Sequence, residues 1–169
     1  MTASTTKRDI YLAGGCFWGV EEYFSRIPGV VATEVGYANG HTQNPSYQEV
    51  CTDTTGFAET VRVTYDPAAV SLVTILEHYF MIVDPLSLNR QGNDRGTQYR
   101  TGVYYVDEEA HGVARQVFDR EQEKYQSPMV VELEPLTNFF AAEEYHQDYL
   151  KKNPAGYCHI TFETLSDLV

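Results

Sequence analysis

The chain has 169 residues, 43% of them apolar, and a formal net charge of −12 from 24 acidic and 12 basic side chains. That length and composition suit one packed core rather than a disordered chain, and the acidic balance argues against nucleic acid or anionic membrane as partners. No apolar run approaches the ~20 residues of a membrane span, and the polar residues 1–9 lack the apolar centre of a signal peptide, so a single cytoplasmic, monomeric domain over residues 1–169 is the expectation.

Residues 10–13 form a short apolar run and predict a buried strand. Residues 18–27 place Val20, Phe24 and Ile27 at helical spacing, and Pro28-Gly29 ends that helix. Residues 30–37 alternate as a second strand, and a long loop rich in Asn, Gly, Thr and Pro covers 38–53. Residues 58–65 alternate again, with Val61, Val63 and Tyr65 on one face, before the Asp66-Pro67 stop. Ser71 caps a helix through about residue 83, with Val73, Leu76, Phe80 and Val83 as its apolar stripe. A second long loop spans 84–98, then a strand at 100–106, an amphipathic helix at 107–125 and a further strand at 130–136, at an edge. A final helix over 141–151 runs to the Asn153-Pro154 stop. The order strand-helix-strand-strand-helix-strand predicts an α+β fold, a ferredoxin-like split βαβ sandwich, with an extra helix, an extra strand and an irregular C-terminal tail. Loops of ~15 residues without regular structure point to function.

Chemistry concentrates at Gly15-Cys16-Phe17-Trp18-Gly19, where a strand passes into a helix. A cysteine at a helix N-terminus meets unpaired backbone N–H groups and the positive end of the macrodipole, which favour thiolate over thiol. Phe17 and Trp18 beside it suit a small apolar group. The three cysteines, Cys16, Cys51 and Cys158, are an odd number, are not paired as Cys-x-x-Cys, and lack the nearby His of a zinc site, so no metal is expected. Cys51, after Val50, reads as structural or incidental, with a part in thiol exchange as the lesser alternative.

Taken together, Gly15-Cys16-Phe17-Trp18-Gly19, Gly36-Tyr37, Asn44-Pro45-Ser46-Tyr47, Gly56-Phe57-Ala58-Glu59, Asp84-Pro85, Arg90-Gln91-Gly92-Asn93-Asp94, Gly96-Thr97-Gln98-Tyr99-Arg100 and Glu144-Tyr145-His146-Gln147-Asp148-Tyr149-Leu150 resemble, in order from about residue 10 to 158, the A-type peptide methionine sulfoxide reductases. The resemblance implies reduction of the S-epimer of methionine sulfoxide, free or in proteins. It implies Cys16 as nucleophile and Glu59 as proton donor, with Tyr47 and Tyr99 hydrogen-bonding the sulfoxide oxygen. Phe17 and Trp18 would cup the methyl group, and Asp94 would order the second loop. It gives His146 no catalytic role, and that residue reads as structural. It further implies that Cys158 resolves a sulfenic acid on Cys16 as a Cys16–Cys158 disulfide, which thioredoxin (or dithiothreitol in vitro) reduces without any bound cofactor. With no cysteine after Cys158, a single disulfide relay is the simpler expectation. A thiol peroxidase and a non-catalytic redox-sensing or methionine-binding module are the alternatives that an assay must separate.

Overall fold

The computed structural model describes residues 6–92, 94–156 and 158. In chain order the elements are β1 (Arg8–Gly14), α1 (Phe17–Ser25), β2 (Val30–Ala38), α2 (Tyr47–Cys51), β3 (Ala58–Tyr65), α3 (Leu72–Ile82), a small ribbon of β4 (Arg90–Gln91) and β5 (Asp94–Arg95), and β6 (Thr101–Tyr105). Then follow α4 (Glu108–Gln122), β7 (Glu132–Pro135), β8 (Phe139–Ala141) and α5 (Tyr149–Lys152). Single 3₁₀ turns sit at Thr97–Tyr99 and Glu144–His146. None of the helices among the described residues is long and apolar enough to cross a membrane.

The main sheet has six strands in the order β7-β6-β1-β3-β2-β8. Its centre, β6-β1-β3-β2, is wholly antiparallel, with β3 inserted between β1 and β2. This is the split βαβ arrangement, and the α+β, ferredoxin-like expectation holds. The additions extend both edges: β7 joins β6 in parallel, and β8 joins β2 antiparallel.

Side-chain alternation explains how the sheet is buried on two sides. Ile10 and Leu12 of β1 and Val61, Val63 and Tyr65 of β3 point to the helical face, where Val20, Tyr23 and Phe24 of α1 and Ile75, Leu76 and Tyr79 of α3 complete the core. Tyr11 and Ala13 point the other way, into a smaller cluster with Ala38, Ala58 and Tyr104 under Phe139. An uninterrupted apolar run is therefore what β1 needs. Each fully buried aromatic or aliphatic chain of this kind contributes about 1.5–3 kcal/mol. The helical layer is tied together by Tyr23 Oη against His78 Nδ1 at 2.7 Å, and by the edge-to-face pair Phe80–Phe118, with centroids 5.1 Å apart. Gly36 lets β8 close the edge: a Cβ there would lie 2.5 Å from the Phe140 carbonyl oxygen and from the Phe139 ring.

Three expectations change. The helix predicted over 141–151 is instead β8, a 3₁₀ turn and the four-residue α5. Before α5, which keeps the i to i+4 bonds Lys152 N–H to the Asp148 carbonyl and Asn153 N–H to the Tyr149 carbonyl, the stretch is held by side-chain hydrogen bonds to other elements. Gln147 Oε1 accepts from Val35 N–H at 2.9 Å while its Nε2 donates to the Val35 carbonyl, so one side chain imitates a strand neighbour of β2. Asp148 is left-handed (φ 51°), which breaks any continuous helix before α5. The loop expected over 38–53 contains α2, started by a capping box in which Ser46 Oγ accepts from Glu49 N–H and Glu49 Oε1 from Ser46 N–H. The loop expected over 84–98 contains the β4–β5 ribbon and a 3₁₀ turn. Of the expected irregular tail, residues 157 and 159–169 lie outside the described residues, as do residues 1–5 of the polar N-terminal stretch.

Candidate active site

Cys16 is the N-cap of α1. Gly15, at φ 91°, turns the chain out of β1, in a conformation costly for a residue with a Cβ. The cysteine is 7% exposed. Its sulfur receives the Trp18 N–H, the expected helix-terminus effect, but burial and the Glu59 carboxylate outweigh it and push the thiol well above its ordinary value. The expectation of a resting thiolate is thus corrected. The N-terminus of the helix favours the anion, but burial is the larger influence and holds the sulfur as a thiol.

Glu59 lies on β3, the strand between β1 and β2, two residues from Val61, so alternation turns it to the helical face beneath the start of α1. It pairs across the ladder with Tyr37. The residue is 1% exposed, its Oε1 accepts from Phe17 N–H at 3.2 Å, and its Oε2 has no hydrogen-bond partner among the described residues. Burial pushes its pKa up to about 8, opposed by the Phe17 N–H and reinforced by the charge of Asp94. The group is therefore a neutral acid at neutral pH, with one oxygen available.

The two long loops meet over this pair. Burial and the charge of Glu59 both push the phenols of Tyr47, on α2, and Tyr99, on the 3₁₀ turn, upward, so each remains an O–H donor. Asp53, left-handed at φ 65°, accepts from Thr97 N–H at 2.8 Å and from the Thr97 hydroxyl, fastening the first loop to the second. Asp94, in β5, acts electrostatically on Glu59, Cys16 and Tyr99 together. Cys158 packs against the core and lies near enough to add to the electrostatic influences that raise Cys16. The eight residues singled out in the sequence thus come to one place. Phe17 and Trp18 differ within it: Phe17 is 1% exposed and tilts on Tyr37, with centroids 5.8 Å apart, whereas Trp18 is half-buried.

Several residues of the site escaped the sequence reading. Glu143 accepts from the Tyr37 hydroxyl at 2.8 Å and from Tyr47 N–H at 3.0 Å, holding α2 against the sheet. Trp18 Nε1–H donates to His146 Nδ1 at 3.0 Å, and the indole stacks on Tyr149 with centroids 3.8 Å apart and planes at 9°. Cys51 is exposed, not buried as a structural cysteine would be, and shares side-chain hydrogen bonds with Tyr47 and Gln98 at the rim of the site. The signal for Glu143, His146 and Tyr149 was in the sequence, in a stretch dense in aromatic and acidic residues, but a helical reading of 141–151 turned half of it to solvent. Among the described residues, no three His, Cys, Asp or Glu side chains gather as a metal site.

Comparison with known proteins agrees with this geometry. The peptide methionine sulfoxide reductase MsrA of Clostridium botulinum (strain Okra / Type B1) is 58% identical over 153 residues, which cover 90% of this chain and 98% of that protein. The crystal structure of Mxr1 from Saccharomyces cerevisiae in reduced form is similar with a TM-score of 0.87 at 37% identity, covering 92% of this chain and 91% of that one. Mxr1 in complex with Trx2 is similar with a TM-score of 0.61 at 25% identity, over 85% of this chain and 84% of that one. The family model described as peptide methionine sulfoxide reductase matches residues 8–169, and the chain belongs to that family.

Proposed function

We propose that this chain, acting as a single domain over residues 1–169, reduces the S-epimer of methionine sulfoxide, free or in oxidised proteins, with Cys16 as nucleophile and Glu59 as general acid. The observation that carries the reading is the Glu59 carboxyl: buried, raised to about 8, tied through Oε1 to the first N–H of α1, and open at Oε2. Sulfoxide reduction needs a sulfur nucleophile and a proton for an oxygen that otherwise leaves as a poor anion.

Glu59 gives its proton to the sulfoxide oxygen, with Tyr47 and Tyr99 donating hydrogen bonds to the same oxygen. Cys16 attacks the sulfoxide sulfur as its own proton passes to Glu59. Because that proton neutralises the carboxylate left on Glu59, the developing Cys16 anion does not face a charged Glu59, one of the causes that would raise it. The S–O bond breaks, the hydroxyl is transferred to the Cys16 sulfur, and the thioether leaves. The substrate sulfur is reduced by two electrons, Cys16 becomes a sulfenic acid, and Glu59 ends protonated as it began. Trp18 and Phe17 receive the methyl group and give the epimer preference, and Asp94 orders the second loop.

The Cys158 thiol then attacks the Cys16 sulfur, an S–S bond forms, and water leaves. A thioredoxin dithiol, or dithiothreitol in vitro, exchanges with that disulfide and is itself oxidised; the Mxr1–Trx2 complex supports this step for the relative. No bound cofactor takes part. A reducing compartment such as the cytoplasm suits the cycle, and we take the protein to work as a monomer. The test is incubation with dithiothreitol and each epimer of a methionine sulfoxide peptide, followed by chromatography. Loss of the S epimer alone is the expected result. Loss of neither, with peroxide consumed instead, points to a thiol peroxidase, and no turnover of any kind to a binding module.

A further inference from the structure

His146 is a buried titratable group that this mechanism leaves unused. It is 1% exposed, yet it lies among site residues: its ring centroid is 4.5 Å from that of Tyr47, 5.3 Å from Phe17 and 5.8 Å from Trp18. Its backbone is held on both sides. Glu143 is bonded to Tyr37 and Tyr47, Gln147 to Val35, and His146 N–H itself donates to the Glu143 carbonyl at 2.9 Å. Its Nδ1 accepts the indole N–H of Trp18 at 3.0 Å, which places the proton of the neutral ring on Nε2, and Nε2 has no partner among the described residues. Among the described residues the Trp18 N–H is the one hydrogen bond made to the ring, which otherwise packs against the Phe17, Tyr47 and Tyr145 rings.

Trp18 needs such a partner. The face-to-face stack on Tyr149 resists tilting of the indole but allows it to slide or turn in its own plane. A directional N–H···N bond at the edge removes that freedom. Trp18 is in the first turn of α1, beside the nucleophile, so a turn of the indole reshapes the wall that meets the substrate methyl.

We infer that His146 is a positioning residue for substrate recognition, acting through its Nδ1 to lock the Trp18 indole as the wall of the methyl-binding site. The inference rests on the reading of Trp18 as that wall, and its test separates the two. Trp18 is the only tryptophan of the chain, so a nitrogen-15 spectrum carries a single indole N–H resonance. His146→Phe keeps an aromatic ring and removes the acceptor; His146→Asn keeps an acceptor near the Nδ1 position.

In H146F the indole resonance should shift and exchange faster with solvent, KM for the S epimer should rise roughly tenfold as one directional bond is lost, and kcat should change far less. H146N should recover most of both effects and covers the case in which H146F fails to fold, as judged by circular dichroism. The double variant H146F/W18F should be no worse than W18F, since the effect passes through the indole. An unmoved indole resonance in H146F, or additive losses in the double variant while W18F itself raises KM, overturns the role of His146 and leaves the methyl-site reading standing. If W18F leaves KM and epimer preference unchanged while the resonance still moves in H146F, the methyl-site reading of Trp18 fails and the functional part of the inference falls with it.

Discussion

Replacing Glu59 by Gln tests the site at its buried carboxyl, which burial pushes up to about 8. The substitution keeps the shape and an oxygen able to accept the Phe17 N–H now bonded at 3.2 Å, and removes the proton that can be given away. Loss of a positioned general acid costs about 10²–10⁴ in rate. The same change has a stability signature with a definite sign. An unfolded Glu titrates near ~4.3, whereas folded Glu59 titrates at about 8. Below the lower value both states are protonated and the group contributes nothing. Between the two, the unfolded chain binds fewer protons, so wild-type stability falls as pH rises, and above about 8 the whole penalty is present. At ~1.4 kcal/mol for each tenfold, that gap amounts to about 5 kcal/mol. Gln does not titrate, but its amide hydrogens inherit the unpartnered Oε2 position, at a cost of about 1–3 kcal/mol. Urea unfolding should therefore find E59Q less stable than wild type in acid and more stable above about pH 8. Wild-type single-turnover rates should decline as pH rises through about 8, a limb that E59Q lacks. A wild-type single-turnover rate in E59Q, or stability–pH curves that run parallel, would refute the reasoning.

Cys16→Ser should abolish sulfoxide reduction in single and multiple turnover alike, and appreciable residual reduction removes the nucleophile. Cys158→Ser should complete one turnover and then stall with thioredoxin; normal cycling would hand the resolving role to Cys51, whose thiol is exposed at the rim. Glu143→Ala strips the acceptor from the Tyr37 hydroxyl and from Tyr47 N–H and should destabilise the fold by about 1–3 kcal/mol in urea, with KM raised because α2 loosens. Ser46→Ala removes the cap of α2 and should cost about 1 kcal/mol, with the same direction in KM; an unchanged midpoint and KM would show that α2 does not depend on its cap.

The strands and long helices were legible from their apolar residues, which form an unbroken run where both faces are buried, as in β1, and repeat with the period of the element where one face is. Ile10 to Ala13, Val61 with Val63, and the stripe of α3 each had a buried face to declare. The stretch from β8 to α5 was not legible, because its order comes from Gln147, Glu143 and His146 bonding to residues about a hundred positions away, and such partners leave no local period. Within the proposed site, the register of the motifs pointed to Cys16, Glu59, Tyr47 and Tyr99, which the fold brings together, but it could not rank opposing influences on Cys16. A helix N-terminus is visible in a sequence, whereas burial beside Glu59 requires knowing that β3 runs between β1 and β2.

The most direct test of the account is the fate of the oxygen. Cys158→Ser protein, given one equivalent of the S epimer without reductant and digested for mass spectrometry, should carry one added oxygen on the Cys16 peptide and release one equivalent of methionine product. Methionine product with no oxygen on Cys16, or oxygen found on Cys51 instead, would contradict it.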